Sequence, residues 1–396
     1  MENMEFRFTL SGNRLRGKRT VCGVVGSGNL EVIIEENNTS EILFMIQTAV
    51  DHYKPVWKMV IADFVRQHEP IGLRFTLNDN GAMPAVVLLR LTQGLEEFQG
   101  YYKIGNNYQE LSARERIHAL FDANSFVEWL AEEKHYSPYL AALNLPGEAD
   151  DGIVIGSAFL GKNKVLVASQ QKDFMGGAVG EIHGAKLTGL FKAALASKAK
   201  AVVLLIDSGG VRLHEANAGE IAISETIRAI FDARNNGIMT VGVVCGKNGA
   251  FGGMGIISSC LDSLIINEVG RIGVSGPEVI QAVAGKEAFN ALDRALVWRV
   301  YGGKTRYLQD VAQSYVSSDI AAIRDKLISA LDKKIPLDIN SIKQKHNHLK
   351  KRFEDTVGYQ EEGAYLSKVA PKYAATLFNM KDEEFLEAAK EIKTNL

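Results

Sequence analysis

Three times between residues 201 and 280 an aliphatic stretch runs into a glycine-containing loop and then into a helix-like segment. AVVLLI leads to DSGGVRLHEA (207–216), MTVGVVC to GAFGGMGIIS (249–258), and LDSLIIN to VSGPEVI (274–280). Apolar strands alternating with helices imply a helix-covered sheet, hence an α/β class. Successive parallel strands bring their following loops to one sheet edge. The N–H groups at each helix start lack internal acceptors and together carry about half a positive charge. Several aimed at one point make an anion or oxyanion site. A lone Gly-Gly turn is more often a tight connection. The pairing of Ser208-Gly209-Gly210 with Gly252-Gly253 on successive units is what points to a site.

The rest of the 396 residues divides around this core. Residues 1–100 read as a small α+β domain, with strands expected at 20–25, 30–35, 41–49, 71–77 and 85–91 and a helix at 55–68. The Gly/Asn-rich, aperiodic stretch FQGYYKIGNNYQ (98–109) marks a connection, with the linker set at 101–110 and the second domain at 111–396. Ser112 followed by Glu115 has the spacing of a capping box. GIVIGSAFL and KVLVASQQ flank GKNK as a hairpin, and a helix follows over about 181–198. The charged, helix-patterned tail after about 317 reads as peripheral packing or subunit contact, and KQKHNHLKKR within it as a solvated face.

Composition narrows the function. A net charge of −2 without a dense basic block argues against nucleic acid or a membrane surface as partner. No apolar run is long enough for a membrane span, and MENMEFRFTL is not a signal peptide. Cys22, Cys245 and Cys260 form no Cys-x-x-Cys pair, which fits a reducing cytoplasm and excludes a zinc ribbon. His135, His183 and His214 lack ligand spacing, so no metal is expected. Ser208 lacks the Gly-x-Ser-x-Gly frame of a hydrolase nucleophile, and neither glycine loop matches a dinucleotide or Walker A motif. FMGGAVGE (174–181) reads equally well as a ligand loop or as structure.

SGGVRLHEA, GAFGGMGIISSCLD and IGVSGPEVI resemble the crotonase superfamily, specifically its acyl-CoA carboxyltransferase branch. The resemblance implies a (ββα)n spiral in which two backbone N–H groups hold a thioester oxyanion. By motif position those donors are Val211, after Gly210, and Gly253, after Gly252 and nine residues before Asp262. Gly276 opens the helix that closes the pocket. Arg212 and Glu215 stand where carboxyltransferases have them, either for catalysis or as an ion pair pinning the loop. Within the branch, ADDGIVIGSA, GGAVGEIHGAK and GGVRLHEAN resemble the malonate decarboxylase beta subunit over about 112–316.

In the first domain, VVGSGNLEVIIE (24–35) and NDNGAMPAVVLLRLTQGLEEF (78–98) resemble the acyl-carrier (delta) subunit of the same complex. A Gly-Ser-Gly sequence alone is usually just a turn. The domain-length resemblance implies that Ser27, between Gly26 and Gly28, bears a phosphoribosyl-dephospho-CoA group. It further implies a carboxy-lyase subunit that converts malonyl-S-carrier to acetyl-S-carrier plus CO2 without biotin or metal. A gamma-like subunit would complete the site, an alpha-like subunit would exchange acetyl for malonyl, and a transferase would install the prosthetic group. The alternatives are a carboxyltransferase subunit of a biotin-dependent carboxylase and a non-catalytic acyl-carrier scaffold.

Overall fold

The structure is a computed structural model that describes residues 1–101, 107–131, 136–359 and 362–395. Positions 102–106 of the expected linker, and His135, lie outside the described residues. The first sheet contains β1 (Glu2–Phe8), β2 (Thr20–Gly23), β3 (Leu30–Glu36), β4 (Ile42–Thr48) and β5 (Leu73–Asp79), in the order β1-β4-β5-β3-β2. Two helices, α1 (Lys54–His68) and α2 (Pro84–Phe98), pack on it around Phe44, Phe64, Phe75 and Leu91.

The helix expected at 55–68 is present, but the strand expected at 85–91 is the first half of α2. Its valines and leucines have strand-like composition, yet Pro84 sits at the first helical position, where its missing N–H costs nothing. The buried residues Val87, Leu91, Leu95 and Phe98 then recur at helical spacing on one face. The strand β1 was not expected. Its alternation of charge with Met4, Phe6 and Phe8 is that of an edge strand, and it pairs antiparallel with β4.

The second domain opens with α3 (Ala113–Leu120), whose capping box joins Ser112 and Glu115 as the spacing requires. It continues through β6 (Val127–Trp129), α4 (Pro138–Ala142), β7 (Ile153–Leu160), β8 (Asn163–Gln170), α5 (Glu181–Ser197) and β9 (Ala201–Leu205). Then come α6 (Asn217–Asn235), β10 (Met239–Val244), α7 (Gly252–Ser259), β11 (Ser263–Ile266), α8 (Pro277–Ala284), α9 (Arg294–Tyr301), α10 (Gly303–Leu308) and β12 (Ser314–Tyr315). The sheet order is β12-β11-β10-β9-β8-β7-β6, parallel from β8 to β12. The second strand of each spiral unit is reduced to single bridges, Val179 to Val211 and Ser208 to Ala250 to Ile272. These bridges hold the glycine loops side by side above the ends of β9, β10 and β11.

The tail forms α11 (Ile320–Ala330), α12 (Ile339–Thr356), α13 (Glu362–Val369) and α14 (Asp382–Asn395). α12, which contains KQKHNHLKKR, buries no residue, as a solvated helix should. The reading of the whole tail as peripheral needs correction. Leu366, Phe385, Ala388 and Ile392 are buried in the main core, because α13 and α14 bring their apolar stripes onto it.

The two sheets meet through buried charge. Glu31 of β3 accepts hydrogen bonds from Asn78 Nδ2 at 2.6 Å and from the Ala149 N–H at 3.3 Å. Glu148 accepts from the Val25 N–H at 3.2 Å. Asp150 is paired with Arg114 at 2.8 Å, and Lys186 donates to the Asp150 carbonyl. Burial, with repulsion from Asp150, pushes the Glu31 carboxyl up to about 7 and moves Glu148 upward as well. Burial likewise opposes ionisation of Asp150, but Arg114 and Lys186 hold it below the usual carboxylate range. Because the folded value of Glu31 exceeds its unfolded one, near 4, its contribution to stability is complete at acid pH. That contribution is lost as pH rises through about 7. Wild type should therefore lose stability relative to Glu31→Gln between about pH 4 and 7, by something on the order of 1–3 kcal/mol. Thermal unfolding of both proteins across that range checks this, and parallel pH profiles would refute it.

Candidate active site

The loop after β9 begins with a fully buried carboxylate. Asp207 is paired with Arg116 Nη2 at 2.7 Å and accepts hydrogen bonds from the N–H groups of Asn248, at 2.6 Å, and Gly249, at 3.3 Å. One side chain thus ties the loop after β9 to the loop after β10. The Ser208 N–H donates to the Gly249 carbonyl at 2.7 Å, and the Phe251 N–H to the Ser208 carbonyl at 3.1 Å. The Ser208 hydroxyl bonds the Gly210 N–H at 3.2 Å, so it shapes the turn and is not poised as a nucleophile.

At the tips the two loops nearly touch. Gly252, at φ +54°, leaves so little room that an added Cβ would lie 3.1 Å from the Gly210 Cα and 3.8 Å from the Val211 nitrogen. Gly210 itself has φ +139°, which a side chain would disfavour. The Gly252 N–H donates to the Val274 carbonyl at 2.8 Å, drawing in the third loop. Gly276 stands two residues beyond that contact and caps α8. The N–H groups of Val211 and Gly253 make no hydrogen bond among the described residues. Gly253 lies in the first turn of α7, where such a donor has no partner within the helix. So the sequence-based donors occupy adjoining loops, and both have unused N–H groups.

The choice left open for Arg212 and Glu215 is answered by their contacts. Arg212 is 1% exposed and pairs with Asp151 at 2.8 Å and Glu215 at 3.0 Å, while its remaining nitrogens donate to the Ala178 and Asp151 carbonyls. Burial pushes Asp151 up to about 6 despite the arginine. Glu215 also accepts the Glu181 N–H at the start of α5. These residues brace the loop from behind. FMGGAVGE is likewise built into the site's frame, because the Gly176 carbonyl accepts the Gly209 N–H at 2.9 Å and Asn248 Nδ2 at 3.2 Å.

Sequence reasoning overlooked Asp207, Asn248, Arg116 and Gln170, whose side-chain oxygen accepts the Asp207 N–H. A carboxylate at a strand end just before two glycines was the available signal. Among the described residues the histidines do not converge: His183 is buried beside Gln170 and His214 is exposed. No cluster of metal-binding side chains occurs among the described residues, and no helix among them is long and apolar enough to cross a membrane.

On the first domain, Gly26-Ser27-Gly28-Asn29 is a β-turn closed by the Asn29 N–H on the Gly26 carbonyl at 2.9 Å, with Gly28 at φ +72°. That angle at the third position demands glycine. Ser27 is exposed, and the turn is pinned by the Gly28 N–H to the Asn80 carbonyl at 2.9 Å. A rigid turn with an outward hydroxyl fits a covalent attachment point.

Residues 106–336 match the carboxyl transferase domain family. The chain belongs to it. Residues 17–98 match the acyl carrier family described as the malonate decarboxylase delta subunit, MdcD. Among relatives, the Malonomonas rubra malonyl-S-ACP:biotin-protein carboxyltransferase MADC is 36% identical over 242 residues, covering 57% of this chain and 76% of its own. The malonate decarboxylase acyl carrier protein of Acinetobacter calcoaceticus is 38% identical over 101 residues, 25% of this chain and 99% of its own. A Pseudomonas malonate decarboxylase hetero-tetramer, solved with malonate, aligns at TM-score 0.60 and 32% identity over 64% of this chain and 94% of that one. The chain is thus a malonate decarboxylase carrier domain fused to a crotonase-like carboxyltransferase domain, with a catalytic part in carboxyl transfer or decarboxylation. A carrier domain of this kind works through a covalently attached prosthetic group.

Proposed function

We propose that this chain is a carboxy-lyase subunit that decarboxylates a malonyl thioester borne on its own Ser27, in the cytoplasm and without biotin or metal. The observation that carries the reading is the pair of unused N–H groups, Val211 and Gly253, on loops that abut at Gly210 and Gly252. The two family matches, 17–98 and 106–336, support a division between the domains near the proposed linker at 101–110. The group on Ser27 is taken to be phosphoribosyl-dephospho-CoA, which supplies the thiol that holds the acyl group.

Free malonate keeps its carboxylate because the neighbouring carboxylate is a poor electron sink. In the thioester the bond to the departing carboxylate breaks and its electron pair enters the enolate, whose negative oxygen faces the Val211 and Gly253 donors. The α-carbon then takes up one proton, giving acetyl thioester and CO2. Donors fixed in a rigid frame need no reorganisation as charge develops. The buried Asp151-Arg212-Glu215 and Arg116-Asp207 pairs keep that frame rigid.

A second crotonase-like surface, from a gamma-like subunit, completes the site in this reading. Leu213, Val274, Val279 and Val283 lie on or beside the glycine loops, and they are 86%, 65%, 53% and 85% exposed. Apolar exposure of that extent favours association. An alpha-like subunit reloads the thiol with malonyl, and a separate transferase installs the prosthetic group. The Malonomonas rubra relative's name supports a second reading, in which the carboxyl group passes to a biotin protein. Both readings share the cleavage step and differ in the fate of the CO2.

The test loads the purified chain with malonyl and follows CO2 with and without the gamma-like protein and avidin. Little release alone, a large rise with the partner and no effect of avidin are expected. Arrest by avidin would establish the biotin route instead. Robust release from a demonstrated monomer, unchanged by the partner, would sink the shared site.

A further inference from the structure

The turn that bears Ser27 is seated on the second domain. Val24 and Val25, which lead into it, are 6% and 3% exposed and cluster with Leu140 and Phe174. The Val25 N–H donates to Glu148 at 3.2 Å, and the Ala149 N–H donates to Glu31 on the strand leaving the turn at 3.3 Å. At Gly26 an added Cβ would come 3.4 Å from the Asp173 carbonyl, so the turn itself lies against the 173–177 loop. The far side of that loop reaches the candidate site. Gly176 accepts the Gly209 N–H, and Gly177 is packed so closely that a Cβ there would fall 2.0 Å from the Asp207 carbonyl. One short loop therefore touches both the carrier turn and the frame of the oxyanion donors. The Ser27 side chain stays exposed in this seat, and nothing lies within 4 Å of a Cβ at Gly28.

We infer that the carboxyltransferase domain holds its own carrier domain in a docked position, with Val24 and Val25 against Leu140 and Phe174, from which Ser27 serves the site of the same chain. The inference rests on Ser27 as attachment point and Val211 and Gly253 as donors. Two buried apolar residues, with hydrogen bonds from Val25 to the second domain and from the second domain to Glu31 on the strand beyond the turn, specify one seat and one orientation. A flexibly tethered carrier would meet its site at an effective concentration in the millimolar range at best. A docked one starts beside it. Because the hydroxyl faces outward, reloading elsewhere does not require undocking.

The experiment is a complementation in trans, run with the full set of subunits. Ser27→Ala keeps the site but cannot be loaded. Gly252→Ala can be loaded, but its methyl group is driven toward the Gly210 Cα, 3.1 Å away, and spreads the donor loops. Gly252→Ala chains, malonyl-loaded as verified by intact mass, are mixed with an excess of Ser27→Ala chains. The CO2 rate should stay at the sum of the separate rates. Recovery that grows with added Ser27→Ala chain and passes about a tenth of the wild-type rate overturns docking in cis but leaves the function intact. A loaded wild-type chain that releases no CO2 overturns the function and this inference together.

A second variant guards against misfolding of the first. Val24→Asp places a charge in the seat on the carrier side, away from the glycine loops. It should slow release from its own thiol at least tenfold while decarboxylating a free malonyl thioester at the wild-type rate. Equal loss with both substrates would show a general structural defect and overturn the docking role.

Discussion

Ser27→Ala is expected to remove the prosthetic-group mass entirely and to reduce malonate turnover to background. No other side chain in the turn bears a hydroxyl: its neighbours are Gly26, Gly28 and Asn29. Stability should hardly change, because the exposed Ser27 side chain makes no hydrogen bond among the described residues, and surface substitutions usually cost under about 0.5 kcal/mol. Intact mass of the protein from its native host, the unfolding midpoint and the turnover rate together check this. A full adduct on the alanine variant would remove Ser27 from the proposal, whatever the turnover.

The second large effect concerns a donor that has no side chain. Replacing the Gly253 amide by an ester, through chemical ligation, deletes one N–H and leaves the backbone shape. If Gly253 is an oxyanion donor, decarboxylation of a malonyl thioester should fall about 100-fold to 1000-fold, the usual consequence of losing one such group. Stability should suffer little, since that N–H has no acceptor among the described residues. Gly253→Pro is a blunter probe. Proline removes the same donor but also forces a ring towards Ile223 and Val211, whose atoms lie 2.3 and 2.9 Å from a Cβ built at Gly253. Side-chain truncation at Val211 should matter far less than either backbone change. An ester-bearing complex that is folded and as fast as wild type would exclude Gly253 as a donor.

Much of this molecule is written in short-range sequence. The glycine loops, the capping box at Ser112, the helix at 54–68 and the hairpin after Asp151 depend on residues within a few positions of one another. Backbone hydrogen bonding at that range responds to local composition, so these features could be read directly, and so could the glycine loops proposed to frame the oxyanion site. Where composition and periodicity disagreed, as at 85–91, composition misled and the spacing of Val87, Leu91 and Leu95 was the better guide.

Only the tertiary structure decided which distant groups meet. Arg212 finds Asp151 across 61 residues, Arg116 finds Asp207 across 91, and the Val25 N–H finds Glu148 across 123. No local pattern marks such pairs, because a buried charge is acceptable wherever the folded chain supplies an opposite one. The same holds for α14, whose apolar stripe looks like that of any surface helix until the core receives it. Composition and local spacing determined that there would be two domains' worth of elements, a Gly-Ser-Gly turn and a set of glycine loops at helix starts; the roles of carrier turn and donor loops came from the resemblance. Packing at long range determined that the turn sits beside the frame of those loops. Contact between segments far apart in the chain depends on the shape of the whole fold, and no window of sequence contains that shape.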